Sequence, residues 1–415
     1  MTLRIVAASV LTCALICGAI SAASARQRLA SPPPREESMT FYIAKGAPDA
    51  CGRDCDTWIE AEGKVEADTT ARLKTFLNRV HGRNLPIYFS SPGGNLDQAI
   101  AMGSLLHDRP TIARVGRTTV RECGFEAQDS DVCLKLKQSG RELHGDLFTN
   151  GAVCASACPY AFVGAAVHEV APDAILAIHS PKIVLSSHGG QPDVFMIAAA
   201  NRRGRERADR VAGSYLTKMG IDPGLLALTR TVKFEEIHIL TRDEIARFGL
   251  DRREFVETSW RFESNTHSMV RKIAVMKGET SFRLLQWRVA CFDSDNFVLD
   301  FQRPIPPAGI ASVALAHDGA SAVYFQGPAR GSGIEQWSMR LIGSRMNALV
   351  DHHEIKIIET SVAADGRLVP RPLKLSNDGW SGAIETLVAG CPLSKLALTI
   401  QRSSQASKAN EATAK

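Results

Sequence analysis

The chain has 415 residues, of which 45% are hydrophobic and 22% are charged, and its formal net charge is +5. This composition is typical of an ordinary globular protein with room for two domains. It argues against nucleic-acid binding, because the charge is mild, only 6% of residues are aromatic, and no basic stripe is interleaved with aromatic side chains.

The first 25 residues have the pattern of a secretory signal peptide. Arg4 precedes an apolar run, Ile5 to Ile20, and the small-x-small cleavage pattern Ala23-Ser24-Ala25 follows it. The chain is therefore expected in the periplasm or outside the cell. The alternative is an uncleaved anchor in the inner membrane, because the run could nearly span a bilayer. The proline-rich residues 26–40 are typical of a disordered linker.

Ten cysteines are present, and removal of Cys13 and Cys17 with a signal peptide would leave eight. An even number in an exported chain indicates disulfides. Proximity in sequence suggests three pairs: Cys51–Cys55, Cys123–Cys133 and Cys291–Cys391. Cys154 and Cys158, four residues apart on a predicted helix, have awkward disulfide geometry and are expected to bridge elsewhere or to stay as small core thiols. Zinc binding is the other interpretation of paired cysteines, although their spacing is irregular and no histidine lies close by.

From Trp58 onward the chain alternates between strand and helix patterns. Strands are predicted at Trp58–Gly63, Ile87–Phe89 and Thr111–Val115, and helices at Thr69–Val80 and from Leu96. Such β-turn-α units predict a parallel sheet. Residues 116–150 then interrupt the pattern. They are interpreted as a surface loop stapled by Cys123–Cys133, with a lid over a catalytic site as the alternative.

Three short motifs carry the chemistry. The turn Ser91-Pro92-Gly93-Gly94 follows an apolar strand, and its backbone N–H groups face outward with no side chain in the way. Ser156 stands in the small-residue turn Ala155-Ser156-Ala157 at the start of a predicted helix, where a carbonyl group could approach its Oγ closely. His179 closes the apolar strand that follows. Together they indicate acyl transfer, with Ser156 as nucleophile and His179 as base.

With these motifs in this order, residues 40–257 resemble the proteolytic subunit of the Clp protease and its relatives in the ClpP/crotonase superfamily. More narrowly, the chain is similar to ClpP-like periplasmic proteins of bacteria with a C-x-S-A-C segment. The resemblance implies a ClpP-like parallel β-sheet domain with helices, no cofactor and no metal. It also implies that the N–H groups of Gly94 and Ala157 bind the oxyanion. The long helix predicted at 193–219 corresponds to a helix that mediates oligomer contacts in the family, and its arginines are expected on a solvated face.

The resemblance weakens at the third catalytic residue. Family members place an aspartate shortly before a segment that matches Leu240 to Asp251 here, and counting back leads to residues 229–232, where no carboxylate stands. The nearest acids are Asp222, Glu235 and Glu236. The group that orients His179 is therefore displaced, replaced by a backbone carbonyl or a threonine hydroxyl, or missing.

Residues 258–402 change to a strand-rich pattern that predicts a small β-sandwich tied by Cys291–Cys391. The strands are predicted at Leu284–Ala290, Asn296–Phe301, Ala311–Ala316, Ala322–Phe325, His353–Thr360 and Leu396–Ile400. The polar residues 403–415 are expected to form a disordered tail.

The sequence thus predicts an exported serine hydrolase, a ClpP-like peptidase acting on a peptide or protein substrate. No ATPase partner is expected, because a cytoplasmic Clp ATPase could not feed an exported enzyme. The alternative is a catalytically weak or inactive ClpP-like scaffold that serves as a binding or assembly protein of the envelope. A crotonase-type acyl-CoA enzyme is the least favoured, because coenzyme A is not expected outside the cytoplasm.

Overall fold

The computed structural model describes residues 37–184, 193–264, 268–293, 296–306, 309–316, 322–341, 349 and 353–391. The predicted signal peptide, residues 26–36 of the predicted linker, the predicted strand Leu396–Ile400 and the predicted tail lie outside the described residues. Met39 is fully buried and the first strand begins at Thr40, so the last residues assigned to the linker belong to the fold. Across the described ranges, no helix is both long enough and apolar enough to pass through a lipid bilayer.

The first part of the chain is a mixed α/β structure. Its elements are β1 (Thr40–Lys45), β2 (Thr57–Glu62), α1 (Thr69–Arg79), β3 (Ile87–Ser90), α2 (Leu96–His107), β4 (Ile112–Val115), β5 (Arg117–Val120), α3 (Asp131–Lys137), β6 (Glu142–Phe148), β7 (Val153–Ala155), α4 (Cys158–Phe162), β8 (Val167–Glu169), β9 (Ile175–Ile178), α5 (Val194–Lys218), α6 (Gly224–Thr231), β10 (His238–Ile239), α7 (Arg242–Arg247) and β11 (Phe255–Glu257).

Most of these strands form a seven-stranded sheet in the order β5-β6-β1-β2-β3-β4-β8. The strand-helix alternation predicted parallel pairing, and β2, β3, β4 and β8 do pair in parallel. A second sheet has the order β10-β9-β7, with β7 and β9 also parallel. Helices α1 and α2 bury apolar side chains such as Leu73 and Met102 in the core that these sheets share.

The insertion at 116–150 forms two strands and a helix where a loop was predicted. Strand β6 pairs with β1, and β5 pairs with β6, so the insertion extends the main sheet at one edge. The predicted Cys123–Cys133 disulfide crosslinks the insertion internally, and the buried Lys137 ties it to β2, with its Nζ 2.7 Å from Glu62 Oε2. This placement favours a structural role for the insertion over that of a lid.

The second part of the chain packs two antiparallel sheets around one core, in agreement with the predicted sandwich. Strand β11 belongs to one of these sheets, because it pairs with residues 274–276, so the sandwich begins before the predicted boundary between residues 257 and 258. Its further elements are β12 (Arg261–Ser264), β13 (Ser268–Lys277), β14 (Phe282–Asp293), β15 (Asn296–Pro304), β16 (Ile310–Ala316), β17 (Val323–Tyr324), β18 (Gln326–Gly331), β19 (Ile334–Leu341), β20 (Glu354–Val362), β21 (Leu368–Ser376) and α8 (Trp380–Gly390). The helix α8 was not predicted. It packs Trp380 edge-on against Trp260, with 4.7 Å between ring centroids.

A buried carboxylate, Asp251, follows α7 and is held by residues of the first part of the chain. Its Oδ2 accepts a hydrogen bond from the Val170 N–H at 2.9 Å and lies 2.6 Å from Arg253 Nη2 and 3.1 Å from Arg242 Nη1. Burial alone would raise the pKa of Asp251, but hydrogen bonds from Arg253 and Arg242 outweigh it and lower that pKa to about 2. The ionised form is thus favoured in the folded protein.

We expect Asp251→Asn to lower the free energy of unfolding at pH 7 by about 2–3 kcal/mol, which corresponds to a carboxyl pKa of about 2 in the folded protein and about 4 in the unfolded chain. A depressed pKa stabilises the fold above the unfolded pKa of about 4, and this contribution is lost as the pH falls toward about 2. The thermal unfolding midpoints of wild type and Asp251→Asn should therefore differ at pH 7 and converge near pH 2. The exposed Asp129→Asn is the control and should shift neither curve. A wild-type curve for Asp251→Asn at pH 7 would contradict the prediction.

Candidate active site

The three sequence motifs meet at one edge, where β3, β7 and β9 end. Strands β7 and β9 are parallel neighbours with Ala155 opposite Ala177, so Ser156 and His179 both follow the carboxyl ends of adjacent strands. The Ser91 N–H donates to the Val153 carbonyl at 2.7 Å, which joins the end of β3 to β7. The structure therefore brings the Ser-Pro-Gly-Gly turn, Ser156 and His179 together.

Ser156 occupies a sharp turn between β7 and α4. Its φ is +59°, in the left-handed region that costs a residue with a side chain about 1–2 kcal/mol. Its N–H donates to the Ala177 carbonyl at 3.0 Å, whereas its Oγ has no hydrogen-bond partner among the described residues. A strained strand-to-helix turn of this kind presents a nucleophilic serine in other hydrolases.

A disulfide brackets this serine, which corrects the expectation for its two cysteines. Cys154 and Cys158 are bonded to each other, with Cα atoms 5.2 Å apart. Both cysteines were predicted on one helix, but Cys154 belongs to β7 and only Cys158 to α4, so the intervening turn brings them within ordinary disulfide distance. The other three predicted pairs are confirmed. With their sulfurs joined in pairs, these cysteines provide no thiolates for zinc.

Gly93 packs directly against the serine turn. A Cβ on Gly93, whose φ is +98°, would lie 2.5 Å from the Ala155 carbonyl oxygen, 2.6 Å from Ser156 Cβ and 2.7 Å from the Ala157 nitrogen. Real Cβ atoms do not approach other atoms this closely, so only glycine lets the two turns touch.

Gly94 continues this turn, which is held from its other side by Val65. The Val65 N–H donates to the Gly93 carbonyl at 2.7 Å, and the Asn95 N–H donates to the Val65 carbonyl at 2.8 Å. The φ of Gly94 is +134°, and a Cβ there would lie 2.2 Å from the Val65 carbonyl oxygen. The peptide groups of the turn are therefore fixed before any substrate arrives.

Two backbone donors in this region are unused. The Gly93 N–H donates to Ser91 Oγ at 3.1 Å, but neither the Gly94 N–H nor the Ala157 N–H has an acceptor within the described part of the chain. Preorganised N–H groups of this kind can stabilise the negative oxygen of a tetrahedral intermediate. These are the two donors that the sequence analysis named.

His179 is oriented by a backbone carbonyl. Its Nδ1 lies 3.0 Å from the carbonyl oxygen of Ser180, which can only accept, so Nδ1 carries the proton. The lone pair is then on Nε2, the form that a general base requires. The ring also packs edge-on against Phe234, with centroids 5.0 Å apart. Among the described contacts no hydrogen bond joins His179 to Ser156 Oγ, and proton transfer would require them to approach to about 3 Å.

The segment 229–232 contacts Ser180, the residue that follows His179, and it does so through backbone carbonyl groups. Ser180 donates through its N–H to the Val232 carbonyl at 2.9 Å and through its Oγ to the Thr229 carbonyl at 3.0 Å. These bonds hold Ser180, the residue whose carbonyl contacts His179. The carbonyl that His179 contacts thus belongs to Ser180 and not to residues 229–232, and no side-chain type signals it in the sequence.

The acids considered from the sequence are used elsewhere or stay apart. Asp222 accepts from the Gly224 N–H at 2.7 Å, and Glu236 lies 3.4 Å from Lys233 Nζ. Within the described ranges no carboxylate, including that of Glu235, forms a hydrogen bond or an ion pair with His179. The same ranges contain no cluster of three or more His, Cys, Asp or Glu side chains suited to a metal ion.

The long helix α5 supports α4 from behind. Tyr215 Oη donates to the Tyr160 carbonyl at 2.7 Å, and burial raises the pKa of Tyr160 to about 12. The first turn of α5 exposes Val194, Phe195 and Met196. The five arginines in the middle of the helix are all exposed, as a solvated face predicts: Arg202, Arg203, Arg205, Arg207 and Arg210. Self-association through this helix stays a prediction.

Comparisons with known proteins add a distant structural similarity. No family model matches the sequence, and no curated protein matches it. Among solved structures, the chain is similar to a mutant of the 1510-N membrane-bound stomatin-specific protease, at 15% identity and a TM-score of 0.28. The match covers 46% of this chain and 75% of that one. At these values the similarity supports no conclusion about mechanism.

Proposed function

We propose that this chain is an exported serine hydrolase of the ClpP-like peptidase type, with Ser156 as nucleophile and His179 as general base. The observation that carries the proposal is the convergence of a strained serine turn, two unused backbone donors and a histidine at one strand edge. Each group taken alone has an ordinary structural explanation. Their combination has the composition of an acyl-transfer site.

The reaction follows from these groups. Ser156 Oγ attacks the carbonyl carbon of a peptide while His179 Nε2 takes the hydroxyl proton, and the N–H groups of Gly94 and Ala157 bind the resulting oxyanion. His179 then gives the proton to the leaving amine, and an acyl-enzyme forms on Ser156. A water molecule, deprotonated by His179, hydrolyses that ester and restores the serine.

The group that orients His179 determines how fast the proposed hydrolysis is expected to be. A triad aspartate fixes the histidine tautomer and stabilises the imidazolium, and loss of both effects costs about four orders of magnitude. The Ser180 carbonyl fixes the required tautomer but carries no full charge. The proposed enzyme is therefore slower than one with a complete triad, by less than that factor.

The compartment in which the protein folds limits which substrates it could act on. The four disulfides favour an oxidising environment outside the cytoplasm. There, no Clp ATPase would unfold substrates, so a short peptide or a loosely folded protein is the proposed substrate, and the proposed chemistry uses no cofactor. The absence of a Ser156–His179 hydrogen bond in the described contacts favours the second candidate, an inactive envelope scaffold.

We expect a fluorophosphonate probe to label the oxidised protein covalently, because the probe reacts with activated serines. Ser156→Ala should abolish labelling, and His179→Ala should reduce it to near background. Ser139→Ala, which changes an exposed serine outside the site, is the control for nonspecific reaction and should be labelled like wild type. If the folded, oxidised wild type remains unlabelled, the hydrolase proposal is wrong and the inactive scaffold is the remaining candidate.

A further inference from the structure

We propose that the Cys154–Cys158 disulfide is the positioning device of the site. It holds Ser156 in its strained turn, so that the serine becomes competent only after the chain has been oxidised. This inference rests on the proposed function for its catalytic consequence. The structural part, that the disulfide maintains the turn, can be tested independently of catalysis.

The position of the disulfide carries the inference. Cys154 is anchored in β7 opposite Leu176 of β9, and Cys158 is the first residue of α4. The disulfide joins the last strand segment before the turn to the first helical residue after it, with Ser156 at the midpoint of the closed loop. Because Ser156 has a φ of +59°, an unconstrained chain would gain by relaxing it toward ordinary backbone angles.

Relaxation of this turn would affect every group that the proposed reaction uses. The Ala157 N–H is the next peptide group along, and the Ser156 N–H is bonded to the Ala177 carbonyl. Gly93 touches the Ala155 carbonyl and the Ala157 nitrogen, so a shift of the turn also changes its contact with the Ser-Pro-Gly-Gly turn. The disulfide is the one covalent constraint that spans these contacts within the described residues.

Because the disulfide is buried, it is expected to form once and not to be reduced again in the folded protein. Cys154 and Cys158 are both fully buried, so small thiols have little access to the bond once the protein has folded. Its formation needs an external disulfide, such as that of an oxidised thiol catalyst. The two cysteine thiols give up two protons and two electrons, and the external disulfide is reduced to two thiols. Protein that has not met such an oxidant would carry an incompetent Ser156.

The test compares two cysteine pairs that close loops of the same length. Cys154→Ala/Cys158→Ala removes the proposed device, and Cys51→Ala/Cys55→Ala removes a disulfide of the same separation, four residues, in a different hydrophobic cluster. We expect the first variant to be labelled by the fluorophosphonate probe at least tenfold more slowly than wild type, and the second to be labelled at the wild-type rate.

Hydrogen exchange provides the readout that does not depend on catalysis. Exchange of the Ser156 amide, followed by mass spectrometry of peptides reduced in the quench, should be at least tenfold faster in Cys154→Ala/Cys158→Ala. Wild type refolded under reducing conditions should also exchange the Ser156 amide faster. Because it retains both cysteine side chains, this result cannot be attributed to a cavity left by alanine. The control pair should exchange like oxidised wild type at this amide.

The outcomes separate the two proposals. Wild-type exchange of the Ser156 amide in Cys154→Ala/Cys158→Ala would overturn the positioning role, whether or not any form is labelled. Equal losses of labelling rate and of Ser156 amide protection in Cys51→Ala/Cys55→Ala would also overturn the positioning role, because they would show that removal of either disulfide destabilises the protein generally. If oxidised wild type is not labelled, yet the turn exchanges faster without the disulfide, the positioning role stands and the proposed hydrolase fails.

Discussion

Gly93→Ala is expected to reduce the rate of fluorophosphonate labelling by at least about a hundredfold. Loss of a single oxyanion donor costs about 10²–10³ in rate, and this substitution would displace both donors. The new Cβ would lie 2.5 Å from the Ala155 carbonyl oxygen and 2.7 Å from the Ala157 nitrogen, and both are backbone atoms that cannot rotate away. The two turns must separate, which moves the Gly94 N–H relative to Ser156.

Gly82→Ala is the matched control for Gly93→Ala. Gly82 also has a positive φ, +84°, but a Cβ there would meet nothing within 4 Å. It should therefore cost only the strain of a left-handed alanine, about 1–2 kcal/mol, and leave labelling unchanged. Thermal unfolding of both variants would distinguish the cost of backbone strain, which both share, from the cost of the steric clash, which only Gly93→Ala has. Labelling of Gly93→Ala at the wild-type rate would show that the Ser-Pro-Gly-Gly turn is not part of the site.

The meeting of the three motifs could be predicted from the sequence because it depends on topology. Parallel strands end at the same edge, so residues that directly follow β3, β7 and β9 must lie near one another. Small residues around Ser156 and glycines at 93 and 94 are also visible in the sequence. Their consequence, close contact of two turns, follows from ordinary sterics.

The internal supports of the site could not be predicted in the same way. Whether Cys154 and Cys158 can bond depends on where β7 ends and α4 begins, because a helix that already began at Cys154 would hold both cysteines. The acceptor for His179 is a backbone carbonyl, which every residue possesses. No residue type marks it, whereas an aspartate would have been visible.

In the second part of the chain, tertiary contacts overrode local signals. Strand β13 was missed because Lys272 interrupts its apolar residues, yet Lys272 is fully buried and its Nζ lies 3.0 Å from Glu257 Oε2. Helix α8 contains glycines and a threonine that weaken helix propensity. It forms because Trp380, Ile384 and Leu387 fit into the core of the two sheets.

The Cys291–Cys391 disulfide should be the largest covalent contribution to the stability of this second part. It joins β14 to the residue after α8 across a separation of 100 residues. In the chain-entropy model, a loop of that length stabilises the fold by about 4–5 kcal/mol, compared with about 2 kcal/mol for a four-residue loop. We therefore expect Cys291→Ala/Cys391→Ala to lower the free energy of unfolding roughly twice as much as Cys51→Ala/Cys55→Ala.

Tryptophan fluorescence during urea unfolding measures this effect selectively. Four of the five tryptophans belong to the core that contains Cys391: Trp260, Trp287, Trp337 and Trp380. The urea midpoint of the fluorescence transition should fall in Cys291→Ala/Cys391→Ala, while labelling of Ser156 in the absence of urea stays at the wild-type rate. Equal midpoints for the two double variants would contradict the prediction. They would mean that the unfolded chain already keeps β14 and α8 close together, because a crosslink between segments that stay close restricts few conformations.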